Sequence, residues 1–170
     1  KTEILHSSDV VLKDTKDLFK YPSGKSGKNI NVENYRSFIE RKVMSISSYL
    51  KLFEHAKKIK LPIIATVFDN IGVDFLKSQG AAAIKISRNN VQHKILIEYA
   101  AKSGLPIIFD LGHVPIWKAL RALKWVKQFG GRTMFNYHPG KAIAQGKVFV
   151  TKGATFSDAQ NPAAPQLYTA

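Results

Sequence analysis

Apolar residues along this chain switch between two periods. After Ser45, the positions Leu50, Phe53, Ala56, Lys57 and Ile59 are spaced for one buried helical face, and Ser47 is placed to cap a helix running to about Lys60. Pro62 to Phe68 then forms an unbroken β-prone run, as expected of a strand covered on both faces by helices. Ile71 to Ser78 reads as a short helix stopped at Gly80. The unit then repeats. Ala82 to Ser87 is extended, Asn90 is placed to cap a helix over Val91 to Lys102, and Gly104 closes it. Leu105 to Leu111 is the next strand. Pro115 opens a helix with Ile116, Leu120, Leu123 and Val126 or Lys127 along one side, and Gly130-Gly131 ends it before a strand at Thr133 to Tyr137. Strict alternation of strand and helix predicts right-handed crossovers and parallel strands, in either an open doubly wound sheet or a closed barrel. Periodicity alone does not choose between these two.

The flanks are less regular. Thr2 to Leu5 is a short extended stretch, followed by a polar loop that includes Tyr21 to Lys28. Gly24-Lys25-Ser26 lacks the earlier glycine and the preceding strand that a phosphate-binding loop requires. Lys147 to Val150 is again β-prone, and the Ala-, Pro- and Gln-rich end has no period. One domain over residues 1–160 is expected, with residues 161–170 a flexible tail.

Charge changes the picture more than length does. Lysine and arginine total 26 against 12 acidic residues, a formal charge of +14, which draws anionic substrates or polyanions over a screening distance of about 10 Å. The absence of cysteine excludes a disulfide framework, a thiolate metal site and cysteine catalysis. No apolar run approaches the roughly 20 residues that span a bilayer, and no leader pattern opens the chain. A soluble protein of the cytoplasm or another intracellular compartment is expected, with no membrane partner. A start at Lys1 reads as a fragment or a processed form.

Four stretches carry a family resemblance. Ala65-Thr66-Val67-Phe68-Asp69, followed by Val73-Asp74-Phe75-Leu76, is similar to a strand end Ser-Thr-Pro-Phe-Asp and its "VDFL" helix in the sialic acid (N-acetylneuraminate) synthase family. Ile84-Lys85-Ile86-Ser87 resembles that family's lysine-isoleucine strand, and Ala100 to Ile108 resembles its "AKTGKPVIL" stretch. Ser8-Asp9 with Lys13-Asp14, and Phe156-Ser157-Asp158, resemble earlier and later segments. The resemblance implies an α/β protein, a partial (β/α)8 barrel of the TIM type covering about strands 2 to 7, with parallel strands and outer helices.

By the same resemblance, the implied activity is condensation of phosphoenolpyruvate with an N-acylated amino sugar to give a nonulosonate. A divalent metal (Mn or Mg) would polarise the sugar aldehyde if that chemistry is retained, and cations and hydroxyls would hold the phosphate and carboxylate. Substrate-binding positions are then Lys85, matching the phosphoenolpyruvate-contacting lysine, Thr66 and Asp69, and Arg88, an anion-holding candidate where the family has a small "SGE" turn. Each also has a plain structural role open to it: Lys85 as a snorkelling lysine, Thr66 as a strand residue, Asp69 as a helix cap, Arg88 as a space-filling side chain. Other positions depart from the pattern. Asp110-Leu111-Gly112-His113 replaces Ser-Thr-Gly-Met, so a carboxylate stands where phosphate should bind and would repel it. Phe135-Asn136-Tyr137 replaces Leu-His-Cys, so Asn136 and, further on, Ala159 stand at the metal histidines. His113 and His138 are the remaining metal-ligand candidates, with no fixed carboxylate partner.

Two functions compete: a divergent synthase, and a catalytically degenerate barrel acting as a binding or structural component of a larger assembly. Trp117, Arg121, Lys124 and Trp125 favour the second, because aromatic and basic groups on one side of a helix suit RNA, another polyanion or an acidic protein. Packing offers the bland reading, two tryptophans partly in the core beside solvated charges. A section of a barrel also has two open parallel edges, so a homo-oligomer, a larger complex or a sheet rearranged by the N-terminal segment is expected.

Overall fold

The computed structural model describes residues 1–23, 29–112, 114–137 and 166–169. In chain order the elements are β1 (Thr2–Ile4), β2 (Leu18–Ser23), β3 (Asn29–Asn34), α1 (Tyr35–Glu40), α2 (Ile46–Lys58), β4 (Ile64–Val67), α3 (Asn70–Ser78) and β5 (Ala83–Ile86). They continue with α4 (Lys94–Lys102), β6 (Ile107–Asp110), α5 (Ile116–Lys127), β7 (Thr133–Tyr137) and β8 (Gln166–Thr169), and two 3-10 turns lie at Ser8–Val10 and Arg88–Asn90. Strands β1, β4, β5, β6 and β7 lie side by side in that order and all run parallel. This is the parallel α/β architecture that the alternating pattern implies.

The register sorts the strand residues into two faces, because successive side chains point to opposite sides. Ile4, Ala65, Val67, Ile84, Ile86, Ile107 and Phe109 share one face and pack with Tyr49, Phe53, Leu76, Leu96, Ala100, Ala122 and Val126 of the helices. The helices thus cover one side of the sheet, the outer side of a barrel. The opposite, inner face carries Thr66, Lys85, Ile108 and Met134 in one row, with Asp110 and Asn136 paired two residues further along.

Local chemistry places the helix ends with some differences from the expected pattern. Ser45, not Ser47, caps α2, its hydroxyl accepting from the Ser48 N–H at 3.2 Å. Asn90 does not cap α4, because the chain first makes the 3-10 turn Arg88–Asn90 and enters the helix at Lys94. Gly80 and Gly104 close α3 and α4 at φ of 65° and 82°, where a Cβ would be strained.

The buried helical faces are also rotated from expectation. Tyr49, Phe53 and Ala56 are buried on α2, whereas Leu50 and Ile59 are 37% and 56% exposed. Tyr49 is drawn inward by a polar partner, its hydroxyl accepting the Leu5 N–H at 3.0 Å. On α5 the small residues Ala119 and Ala122 face inward with Val126, leaving Ile116 and Leu120 outside. The small side chains let α5 sit close against the sheet and α4.

Two segments differ outright from the sequence reading. The expected loop contains a hairpin, β2 against β3 in antiparallel register, whose Phe19 stacks on Phe38 of α1 at 4.1 Å between ring centroids. Arg36 of α1 ties this unit to the preceding turn through the Val11 carbonyl at 2.7 Å, and hydrogen bonds from Ser7 and Arg36 hold the Asp9 carboxyl below its ordinary range. Within the expected tail, β8 pairs with β7 in antiparallel register, so residues 166–169 extend the sheet. The strand at Lys147 to Val150 lies outside the described residues.

Candidate functional site

Parallel barrels gather functional groups at the C-terminal ends of their strands. Here Lys85 lies on β5 beside Thr66 of β4, while Asp110 ends β6 opposite Asn136 of β7. Two rows on the inner face therefore bring together residues from four strands.

The deciding contact is between Lys85 and Asp110. The Lys85 ammonium donates to Asp110 Oδ2 at 2.6 Å, with the two side chains only 12% and 15% exposed. Asp110 Oδ1 accepts the Gly112 N–H at 3.2 Å, which orients the carboxylate toward the lysine. Asp110 was expected to repel a phosphate; the structure pairs it with Lys85, the cation expected to hold one.

Around this pair, Thr66 is buried at 2% exposure and Asn136 at 7%. Among the described residues the buried Asn136 Oδ1 has no hydrogen-bond partner, a costly state for an amide oxygen. Asp69 sits at the end of β4 with both oxygens engaged. Its Oδ1 accepts the Gly72 N–H at 2.8 Å as the cap of α3, and its Oδ2 lies 2.8 Å from His6 Nε2. His6 escaped the sequence reading because nothing in the chain's spacing links it to Asp69, 63 residues away.

Arg88 is not part of this cluster. It is exposed on the 3-10 turn after β5 and lines a cavity of about 390 Å³ with Gln92, Val114 and Lys118. A second cavity, of about 430 Å³, opens where β1, β4 and β5 end, between Glu3, Phe68 and Asn89 on one side and the aromatic rings of Phe19, Tyr35 and Phe38 on the other. The hairpin supplies Phe19 and α1 supplies Tyr35 and Phe38.

On α5, Trp117 is 54% exposed, while Trp125 packs partly into the core. Arg121 bridges them, its guanidinium 4.9 Å from the Trp117 ring and 5.9 Å from that of Trp125, and it also bonds to Gln92 Oε1. Lys124 is exposed on the same helix. Both readings of this face therefore find material, one tryptophan facing water and the other packed.

For a divalent metal the described donors do not fit. Among the described residues no three His, Cys, Asp or Glu side chains come together, and Asp110 already faces a lysine. His113, His138 and Ala159 lie outside the described residues.

The sequence pattern of the NeuB family matches residues 6–140. The chain belongs to the NeuB family. Among relatives, it is 26% identical over 94 residues to N,N'-diacetyllegionaminic acid synthase of Legionella pneumophila, covering 55% of this chain and 26% of that protein. It is also 29% identical over 87 residues to structural protein V19 of Sputnik virophage, covering 50% of this chain and 40% of that one. The chain thus spans well under half of either relative. Its fold is that of a sialic acid synthetase from Leptospira borgpetersenii, at a TM-score of 0.58 and 23% identity, over 64% of this chain and 40% of the other. NeuB membership makes the five parallel strands a section of a TIM-type barrel, with Lys85 and Asp110 on the side that faces the lumen.

Proposed function

We propose that this NeuB-family chain is a binding barrel for a sugar-type ligand whose phosphoenolpyruvate position has been neutralised. The Lys85–Asp110 ion pair carries the reading. A phosphate lodged about 4 Å from both groups would feel attraction and repulsion of similar size, about 4 kcal/mol each at an effective dielectric near 20. Net attraction at that point is therefore small, where a condensing enzyme needs it large. The wall of aromatic rings facing Glu3 and Asn89 supports the ligand class, since rings cover apolar sugar faces and the carboxylate and amide accept or donate to hydroxyls. The likeness to a viral structural protein, beside that to a synthase, is in keeping with such a role.

The test is calorimetric titration of phosphoenolpyruvate into three proteins, each checked for native circular dichroism. Wild type is expected to bind weakly, and Asp110→Ser, which restores a hydroxyl for Lys85, at least about tenfold more tightly, since tenfold takes only about 1.4 kcal/mol of the lost repulsion. Adding Lys85→Ala to that variant should erase the gain. Micromolar binding by wild type, unimproved in Asp110→Ser, would sink the proposal.

The second reading, retained condensation of phosphoenolpyruvate with an N-acylated amino sugar, is favoured by Lys85 standing beside Thr66 on the lumen-facing row and by the synthase among the relatives. In that case Lys85 would have to leave Asp110 when the anion enters. The same titration separates the two readings.

A further inference from the structure

We infer that the outward face of α5 is a docking surface for an acidic, amphipathic helix of a partner protein, on the outside of the sheet and independent of what the inner face binds. Ala119, Ala122 and Val126 are the buried residues of α5 and share one side of it at 3.6 residues per turn. The exposed side carries Ile116, Trp117 and Leu120 in its first half and Arg121, Lys124 and Lys127 in its second. Ile116 is 69% exposed, Trp117 54% and Leu120 50%. Scattered apolar residues on a surface need no explanation, but large ones gathered within little more than one turn form a patch.

The patch is held ready. The Arg121 guanidinium lies 4.9 Å from the centroid of the Trp117 ring and the Lys118 ammonium 5.4 Å from it. Arg121 in turn donates to Gln92 Oε1, and Gln92 Nε2 donates to the Lys118 carbonyl at 3.1 Å, so the segment before α4 braces the ring and its cations. Trp117 and Arg121 therefore lose little freedom when a partner arrives. Tryptophan and arginine are also the residues that most often carry the energy of a protein interface.

Charge selects the occupant. The cations of α5 are Lys118, Arg121, Lys124 and Lys127, and no aspartate or glutamate occurs anywhere between Asp110 and Asp158. Among the described residues none of the four belongs to an ion pair. A second copy of the chain would bring cations of α5 toward cations of α5, between two molecules of formal charge +14 each. A nucleic acid would answer the charge and little else. Cations already lie over the Trp117 ring where a base would stack, and Ile116 and Leu120 meet no apolar counterpart along a phosphate backbone. A helix with apolar residues at i, i+3 and i+4 and carboxylates beside them satisfies both halves of the face. At about 1.5 Å per residue, α5 offers such a helix a length of about 18 Å.

The whole chain, in about 0.15 M salt, is titrated with a synthetic helix of about 18 residues that bears leucines at i, i+3, i+4 and i+7 and glutamates elsewhere, followed by backbone and indole N–H NMR. The expected result is saturable shifts concentrated on α5 and on the Trp117 indole, with micromolar affinity. Polyglutamate of the same length should bind at least about tenfold more weakly, since it answers only the charge. Leu120→Lys and Lys124→Glu/Lys127→Glu alter solvent-facing side chains, and each, with a spectrum otherwise native, should weaken the helix by about tenfold or more. Four outcomes would each overturn the inference: no saturable shift on α5, polyglutamate binding as tightly as the helix, oligodeoxythymidine shifting α5 as tightly, or α5 shifts that follow protein concentration without any peptide. None of these signals involves Lys85 or Asp110, so failure here is separate from the result of the Asp110→Ser titration.

Discussion

On β5 and β6, Ile84, Ile86, Ile107 and Phe109 are fully buried against the helices, whereas their chain neighbours Lys85 and Asp110 on the other face keep part of their surface exposed. The two faces come from the same strands, one residue apart, yet they have different freedom to change. Helix-side residues interlock at crystal-like density, so almost any substitution there leaves a void or a clash. Lumen-side residues Lys85 and Asp110 are held mainly by one another, so a change there disturbs a polar pair and leaves the interlocked helix side untouched. The difference teaches that one strand can carry a rigid packing face and a substitutable polar face side by side.

The sharpest way to break this contrast is on the helix side. Phe109→Ala should cost about 3–5 kcal/mol, read as a loss of thermal stability or of the folded chain altogether. A loss under about 1 kcal/mol would mean that the outer face is not the rigid one. On the lumen side, Asp110→Leu alone should cost about 3 kcal/mol by stranding the Lys85 ammonium, and Lys85→Met/Asp110→Leu should recover most of it, as measured by urea unfolding. Failure of the double variant to recover would show that the pair holds the scaffold and not merely itself. The smallest effect sharpens the same point: Asn136→Leu, which removes an unsatisfied amide oxygen, should raise stability by about 1 kcal/mol. A buried polar position, unlike a packing one, can be improved in stability by removing its polarity.

Most of the architecture was legible because the buried strands are unbroken apolar runs between glycine-closed helices. The helical faces were less so. Leu50 and Ile59 outranked Tyr49 on hydrophobicity, while the Leu5 N–H that draws Tyr49 inward belongs to a distant strand. The hairpin left a signal that was passed over, Phe19 and Tyr21 at a spacing of two and Ile30 and Val32 likewise, obscured by lysines, asparagines and the glycine-rich turn between them. Lys85 and Asp110 were each identified, but as two independent positions. Their union depends on strand register, which puts Lys85 opposite Ile108, one pleat short of Asp110. Asp69 was right as a cap, and its second bond to His6 could not be seen along the chain.

The reversed direction of β8 has a geometrical consequence for assembly. A barrel closes when its last strand meets its first in parallel, and β8 runs against β7, while β1 borders the other side of the sheet. Residues 166–169 thus take up the pairing groups of β7 that a further parallel strand would use, and they do so in the sense opposite to a barrel's.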